Sequence, residues 1–263
     1  MSKKRSKRTN IRWGHAAHTF LNVIFVLAVA FLVGIGLTPI ALLLVLLSKW
    51  RIFAVQPHHW LVNMRSNSPD LIVGLSFVIF LSQVGDNITS TPPQLGDYLA
   101  TALWIILYIG WLLYLKPKTS SVAVAAQAMV SQFMGLTALF WISTSLPEVF
   151  VVLGAWFIAS VSAQHFLNGY DEPLAKPMSI IWGLFVAQMA WLLNRWSVFF
   201  KITDNLIIPQ IALVTGVLGY TLATLYHLEQ TGKLNKRLTR RYVILAVVAL
   251  MVIMRFTEWS NVR

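Results

Sequence analysis

The sequence predicts an all-α protein, a polytopic bundle of transmembrane helices. Hydrophobic residues make up 57% of the 263 positions and charged residues only 11%, whereas about a quarter of the residues in soluble domains are charged. Apolar runs long enough to cross a hydrocarbon core of ~30 Å recur along the chain. The Lys and Arg residues lie almost wholly between these runs, as in the cytoplasmic loops of membrane proteins.

Seven membrane spans are delimited by apolar length and by Pro, Gly and charged residues. They are predicted at Leu71–Asn87, Asp97–Leu115, Ser121–Ile142, Pro147–Leu167, Ser179–Phe200, Leu206–Leu228 and Tyr242–Trp259. Residues 71–259 are therefore expected to form a seven-span bundle. With the apolar segment before it, this bundle makes residues 17–263 one transmembrane domain behind a basic cytoplasmic tail, residues 1–16.

The first apolar run, residues 17–55, is interrupted by Gly34, Gly36 and Pro39, which are helix-breaking residues. The interruption predicts a helical hairpin that either crosses the membrane twice or re-enters it. Charge supports the hairpin. With the N-terminus inside, a hairpin places most of the 21 Lys and Arg residues in the cytoplasm, whereas one crossing divides them about equally between the two sides.

The same charge distribution orients the chain. The N-terminus and the loops around Lys116, Lys176 and Arg237 are expected in the cytoplasm, and the C-terminus after Trp259 is expected outside. Residues 56–70 then become an amphipathic segment that lies at the inner membrane surface.

Glutamine is the commonest amide side chain inside the predicted spans. Such residues stabilise helix bundles through interhelical hydrogen bonds, and they also line polar pathways for neutral or weakly charged solutes. Both roles stay open for the six candidates. These are Gln83, Gln127, Gln132, Gln164, Gln188 and Gln210.

Ionisable residues collect at the predicted outer ends of the spans. Arg255 and Glu258 are three residues apart, so they share a helix face and can pair. We expect either an outer ion-pair rim that holds the helices together or a vestibule that faces a ligand or an ion. The members of the set are Asp86, Arg195, Asp204, Arg255 and Glu258.

Histidines and carboxylates meet near the predicted inner ends of two spans. His165 and His227 end these spans, and Asp171 and Glu172 lie in a neighbouring loop. Helix bundles do build metal sites from such groups. None of the spacings is a known ligand signature, so no metal or other cofactor is predicted, and these four residues are the candidates if one is bound.

Several functions are excluded by absent motifs and by the distribution of charge. The sequence contains no G-x-x-x-x-G-K-[ST] loop, no H-E-x-x-H and no G-x-S-x-G. Because the net charge of +12 comes from membrane-proximal loops, the expected partners are anionic lipids at the cytoplasmic face rather than nucleic acid. Other membrane proteins or a second copy of the chain are further partners compatible with this composition.

Three short stretches resemble uncharacterised multispanning membrane proteins of candidate-phylum, Saccharibacteria-like bacteria. They are Lys49-Trp50-Arg51-Ile52-Phe53, His58-His59-Trp60 and Ile207-Ile208-Pro209-Gln210. The resemblance implies a bacterial inner membrane. It implies no activity and no functional residue.

Three function classes fit these observations. A transporter or channel for a small solute or an ion would use the glutamines as its lining and the interrupted first segment as a gate. A structural or assembly subunit of a membrane complex would explain the short loops and the absence of a catalytic motif. An intramembrane enzyme would need the inner His and carboxylate group.

The predicted orientation can be tested by labelling, because the chain contains no native cysteine. In Arg237→Cys, the thiol should react only with a reagent that reaches the cytoplasm. Labelling of this thiol by an impermeant reagent outside intact cells would contradict the orientation.

Overall fold

The computed structural model describes residues 3–50, 54, 56, 58, 60–90, 95–196, 198–203 and 206–259. Most of this part of the chain is helical. The helices are α1 (Lys3–Gly34), α2 (Thr38–Leu47), α3 (Trp60–Ser90), α4 (Leu95–Gly110), α5 (Ser121–Trp141), α6 (Glu148–Asn168), α7 (Ala175–Trp196), α8 (Gln210–Gln230) and α9 (Lys236–Arg255). Helix α4 continues as a π-helical turn, Trp111–Leu115. Three short strands are β1 (Val198–Thr203), β2 (Leu206–Pro209) and β3 (Glu258–Trp259).

Seven helices among the described residues are long and apolar enough to cross a membrane. They contain Ala16–Gly34, Asn67–Gly85, Leu95–Leu115, Ser121–Trp141, Glu148–Asn168, Ala175–Trp196 and Gln210–Gln230. The predicted fold class, an all-α bundle of transmembrane helices, is confirmed, and the chain is a multi-pass membrane protein.

The seven helices include the first arm of the predicted hairpin but not the last predicted span. The first segment, Ala16–Gly34, meets the criteria of length and hydropathy. The last helix, α9, is not among the seven. Its charge explains the difference, because this 20-residue helix contains Lys236, Arg237, Arg240, Arg241 and Arg255.

Three predicted spans extend too far, because one end of each belongs to a small antiparallel sheet. Helix α7 ends at Trp196, α8 begins at Gln210 and α9 ends at Arg255. The strand order is β2-β1-β3, and Phe199 lies opposite both Pro209 and Glu258. Strand β1 is rich in β-branched and aromatic residues, which favour extended backbone.

The predicted inner-surface segment is also organised differently. Residues 60–70 are the first turns of α3, which continues without interruption to Ser90. The helix tolerates Pro69 near its beginning, although proline removes one backbone donor. The surface helix expected for residues 56–70 is therefore continuous with a membrane span.

The chain divides into two compact units. Residues 1–51 and 77–118 make up unit 1, and residues 52–76 and 119–263 make up unit 2. The division falls within α3, between Ser76 and Phe77.

Unit 1 contains the helical hairpin that the glycines and proline predict. The helix break is confirmed: α1 ends at Gly34, Gly36 adopts a positive φ of 78°, and α2 begins at Thr38 with Pro39 in its first turn. Helices α1 and α2 pack against each other. At ~1.5 Å per residue, the ten residues of α2 reach about 15 Å, which is half of a hydrocarbon core.

Aromatic side chains form a second set of contacts in unit 1, beside the packing of α1 on α2. Tyr108 of α4 is almost fully buried and stacks on Phe77 with 4.6 Å between ring centroids. Phe25 of α1 meets the edge of the same tyrosine at 6.2 Å. Offset and edge-to-face contacts of this kind stabilise aromatic clusters beyond simple burial.

Unit 2 is held together by the close approach of α6 and α7, its most extensive helix pair. Small residues make this approach feasible, because they let two backbones come close where lipid supplies no hydrophobic driving force. Buried small residues of the two helices include Ala155 and Ala159 on α6, and Ser179, Gly183, Ala187 and Ala190 on α7. A Cβ atom on Gly183 would lie 2.9 Å from the Trp156 carbonyl oxygen and in severe overlap with Ser160.

The close approach of α6 and α7 predicts that Gly183→Ala destabilises the protein in detergent. Overpacking of this kind costs about 1–3 kcal/mol, and the free energy of unfolding should fall by that order. Gly219→Ala is the matched control, since its Cβ would meet only ordinary contacts at 3.7 Å. Thermal unfolding midpoints would measure both, and an unchanged midpoint for Gly183→Ala would contradict the packing.

Candidate functional site

A groove of about 530 Å³ lies within unit 2 between α5, α6, α7 and α8. Small-molecule sites in proteins have volumes of roughly 300–1,000 Å³. Its lining is mostly apolar and contains no Lys, Arg, Asp, Glu or His. Its lining includes Gln132, Ser162, Trp182, Gly219, Ala223 and Tyr226.

The groove occupies one half of the bundle. Its residues on α8 run from Thr215 to Tyr226, about 16 Å at ~1.5 Å per residue. Those on α5 run from Ala125 to Gln132, and Gln132 lies about 16 Å along α5 from its start at Ser121. A hydrocarbon core is ~30 Å thick, so the groove extends from one membrane face to about mid-depth.

The side of the groove is open between α7 and α8. Large side chains on both helices stand at its edge with much of their surface exposed, including Ile181 (66%) and Tyr220 (53%). Exposed apolar residues on a membrane span face lipid. The composition of this edge of the groove therefore suits contact with lipid.

The deep end of the groove carries a polar group, the side-chain amide of Gln132. Its Oε1 accepts a hydrogen bond from Trp182 Nε1 at 2.8 Å. Its Nε2 donates to the Thr215 carbonyl oxygen at 3.4 Å, beyond the usual ~2.7–3.2 Å. Gln132 is 7% exposed, so this amide is held firmly between α5, α7 and α8.

Two glycines on α8 leave space in the groove. A Cβ on Gly216 would lie 3.7 Å from Phe133, and one on Gly219 would lie 3.7 Å from Gln132 Nε2 and from Trp182. Both are ordinary van der Waals distances, in contrast to Gly183. Helix packing therefore does not require these glycines, although a glycine within a helix costs about 0.5–1 kcal/mol relative to alanine.

A polar cluster lies at the shallow end of the groove, where α6, α8 and the α6–α7 loop meet. Tyr170 Oη is 2.7 Å from His227 Nδ1. The Tyr226 hydroxyl donates to the Glu172 carboxylate and accepts from Gln230 Nε2 at 3.0 Å. This cluster marks the membrane face from which the groove begins, since Tyr226 belongs to both.

Burial raises the pKa of the Tyr170 hydroxyl above its usual value of 10.0, and a hydrogen bond with Ser121 acts in the opposite direction. A buried phenol favours its neutral form because burial penalises the phenolate. At a pH where the unfolded chain begins to lose the Tyr170 proton, the folded protein therefore still keeps this proton and the contact with His227.

The six candidate glutamines do not converge on one pathway in the structure. Gln132 alone lines the groove. Gln127 Oε1 lies 2.9 Å from His165 Nε2, which joins α5 to α6. Gln210 Nε2 donates to Thr257 Oγ1 at 3.3 Å and lies 3.1 Å from the Met254 sulfur. Gln164 is half-buried, and Gln83 and Gln188 are exposed.

Among the described side chains, Arg195 is the member of the candidate rim that forms an ion pair, and its partner, Glu148, is not in that set. Arg195 Nε lies 3.5 Å from Glu148 Oε1, and the guanidinium lies 5.3 Å from the centre of the Trp191 ring. Arg255 is exposed. The side chains of Asp86 and Glu258, and all of Asp204, lie outside the described part of the chain.

The four candidate metal ligands lie near the shallow end of the groove, where they contact other side chains or are exposed. His165 contacts Gln127, His227 contacts Tyr170, and Asp171 is exposed. In the described part of the chain, no three His, Asp or Glu side chains lie close enough together to hold a metal ion.

No motif in the sequence marks Trp182, Thr215, Gly219 or Tyr226 as a member of a site. One signal was available, because Gly216, Gly219 and Ala223 recur at helical spacing and place small residues on one face of α8. The sequence does not show whether such a face packs tightly, like Gly183, or borders a groove.

No protein-family model, curated protein or solved structure matches this chain.

The raised pKa of Tyr170 predicts a specific alkaline behaviour. The stability that comes from this group is complete below pH 10.0, its unfolded value, and is lost as pH rises through the higher folded value. Tyr170→Phe should lower the free energy of unfolding by about 0.5–1.5 kcal/mol at pH 8, through the lost hydrogen bond. The variant should then show a smaller further loss up to pH 11.

Thermal unfolding between pH 8 and pH 11 measures this effect. Tyr114→Phe is the control, because Tyr114 is 70% exposed. Parallel pH profiles of wild type and Tyr170→Phe would contradict the contribution of Tyr170.

Proposed function

We propose that this protein is a membrane carrier that takes a small amphiphilic molecule from the lipid into the groove between α5 and α8. The observation that supports the proposal is an apolar groove, open to lipid at its side, that ends at one buried amide. This makes the transporter class, one of the three that fit the sequence, more specific.

The lining favours an amphiphile over an ion or a strongly polar solute. A charged group at the bilayer centre is costly, and pathways for ions carry ionisable or dense polar groups. The groove contains neither. The apolar part of an amphiphile, in contrast, exchanges lipid for an apolar wall at little cost, and a polar group on the same molecule can form a hydrogen bond at the deep end.

The depth of the groove favours a carrier over an open pore. Its described lining covers about half of the membrane thickness, at ~1.5 Å per residue along α8. A bound molecule would therefore have access from one side only in this conformation, as alternating-access carriers require. Passage to the other side would need a rearrangement of α7 against α8, a pair in limited contact.

Charge supports an assignment of the shallow end to the cytoplasmic leaflet of a bacterial inner membrane. The basic residues of the helix ends and loops at this end of unit 2 outnumber the acidic residues Asp171, Glu172 and Glu229. They are Lys176, Lys233, Lys236, Arg237, Arg240 and Arg241. Cytoplasmic loops carry such an excess, and anionic lipids attract it.

The proposal predicts that Gly219→Leu blocks the groove without unfolding the protein. The first atom of the new side chain meets only ordinary contacts at 3.7 Å, and the remainder extends into the groove. A diazirine-bearing long-chain alcohol in nanodiscs should crosslink to α7 and α8 in wild type and at least several-fold less in Gly219→Leu. In proteoliposomes, wild type should also accelerate transbilayer movement of a head-labelled single-chain amphiphile.

Gly110→Leu is the control for this experiment, since a side chain at Gly110 would extend into open space. It should crosslink and transport like wild type. If the diazirine-bearing alcohol does not crosslink to α7 and α8 in wild type, the proposed binding site is refuted. If the alcohol crosslinks there but the protein does not accelerate transbilayer movement of the amphiphile, the protein binds such molecules and the proposed carrier function is refuted.

A further inference from the structure

We infer that the molecule bound in the groove carries a hydrogen-bond acceptor oxygen, such as a ketone or ester carbonyl, within an apolar body, and that Gln132 recognises it. The inference rests on the proposed binding function and specifies its ligand. It depends on the orientation of one buried amide and on the space beside it.

The orientation of the amide is fixed by its partner. An indole N–H can only donate a hydrogen bond, and Trp182 Nε1 lies 2.8 Å from the Gln132 side chain. The atom facing the indole must therefore be the amide oxygen, Oε1. The amide nitrogen, Nε2, consequently points the other way, toward α8.

The amide nitrogen has more donors than the protein uses. A glutamine NH₂ carries two N–H donors. Among the described residues, the Thr215 carbonyl is the one acceptor that Nε2 reaches, and the distance is a long 3.4 Å. At least one N–H thus remains to be satisfied in a site that is almost fully buried and lined by apolar groups.

The amide of Gln132 borders the groove together with Gly216 and Gly219. A Cβ placed on Gly219 would lie 3.7 Å from Gln132 Nε2, so the nitrogen is close to this glycine without being covered by a side chain from it. An acceptor oxygen of a ligand in the groove can therefore approach Nε2 from the side that these two glycines leave clear. A buried amide donor without an acceptor is unfavourable, and a ligand oxygen removes that penalty.

The surroundings define the remaining chemistry of the ligand. No ionisable Lys, Arg, His, Asp or Glu side chain lines the groove, so the part of the ligand at this depth is uncharged. Gln132 lies about 16 Å along α5 from Ser121, at ~1.5 Å per residue. The acceptor is therefore separated by an apolar stretch from any polar head at the Tyr170–Tyr226 cluster.

A pair of matched photoreactive probes tests the inference in nanodiscs. Both are long-chain diazirine alcohols, and one carries a mid-chain ketone where the other has a methylene group. Wild type should bind the ketone about five-fold more tightly, the effect of one net hydrogen bond, as measured by concentration-dependent crosslinking to α8. A ¹³C-labelled ketone should also show a carbonyl stretch at lower wavenumber when bound.

Gln132→Leu should bind both probes equally and lose the shift of the carbonyl stretch. Gln188→Leu is the matched control, because Gln188 is exposed and lies outside the groove, and it should keep the ketone preference. If Gln132→Leu fails to fold, Trp182→Phe replaces it. This variant removes the donor that holds Oε1, so the preference should fall while the methylene probe still binds.

Equal binding of the two probes by wild type would overturn the recognition by Gln132 and leave the proposed carrier intact. A ketone preference that persists in Gln132→Leu, or in Trp182→Phe where that variant is used, would overturn it as well. If neither probe crosslinks to wild type, the proposed function itself fails, and the inference fails with it.

Discussion

The close packing of α6 on α7 is the constraint from which the architecture of unit 2 follows. Gly183 leaves no room for a side chain against Trp156 and Ser160, so α7 is held against α6 along a face of small residues. Because α7 is committed to α6, it makes limited contact with α8. The space between α7 and α8 remains as the groove, with α5 and α6 behind it.

Polar side chains in unit 2 are placed where they join helices. Gln127 and His165 connect α5 to α6, Ser131 and Ser162 do the same at 2.7 Å, and Gln132 reaches both α7 and α8. Interhelical hydrogen bonds of this kind contribute about 0.6–2 kcal/mol each in membranes. The groove therefore borders a well-connected scaffold, which keeps its deep amide in one orientation.

The groove and the distribution of charge lead to one functional interpretation. An apolar cleft that begins at a polar, basic membrane face and ends near mid-depth suits a molecule with the same polarity gradient. Such a molecule would enter sideways from the lipid. The large side chains at the edge of the groove, such as Ile181 and Tyr220, are apolar or aromatic and exposed, which suits the entry that we propose.

The sequence by itself determined the membrane class, the α-helical fold and the break at Gly34–Pro39, because hydropathy and helix-breaking residues act locally along the chain. Tertiary structure decided the sheet that ends α7, the union of residues 60–70 with α3, and the position of each glutamine. Gln132 and Gln188 are the same residue type in similar surroundings along the chain. One is buried beside Trp182 and the other is exposed, since that outcome depends on which helix faces meet, and distant residues set those faces.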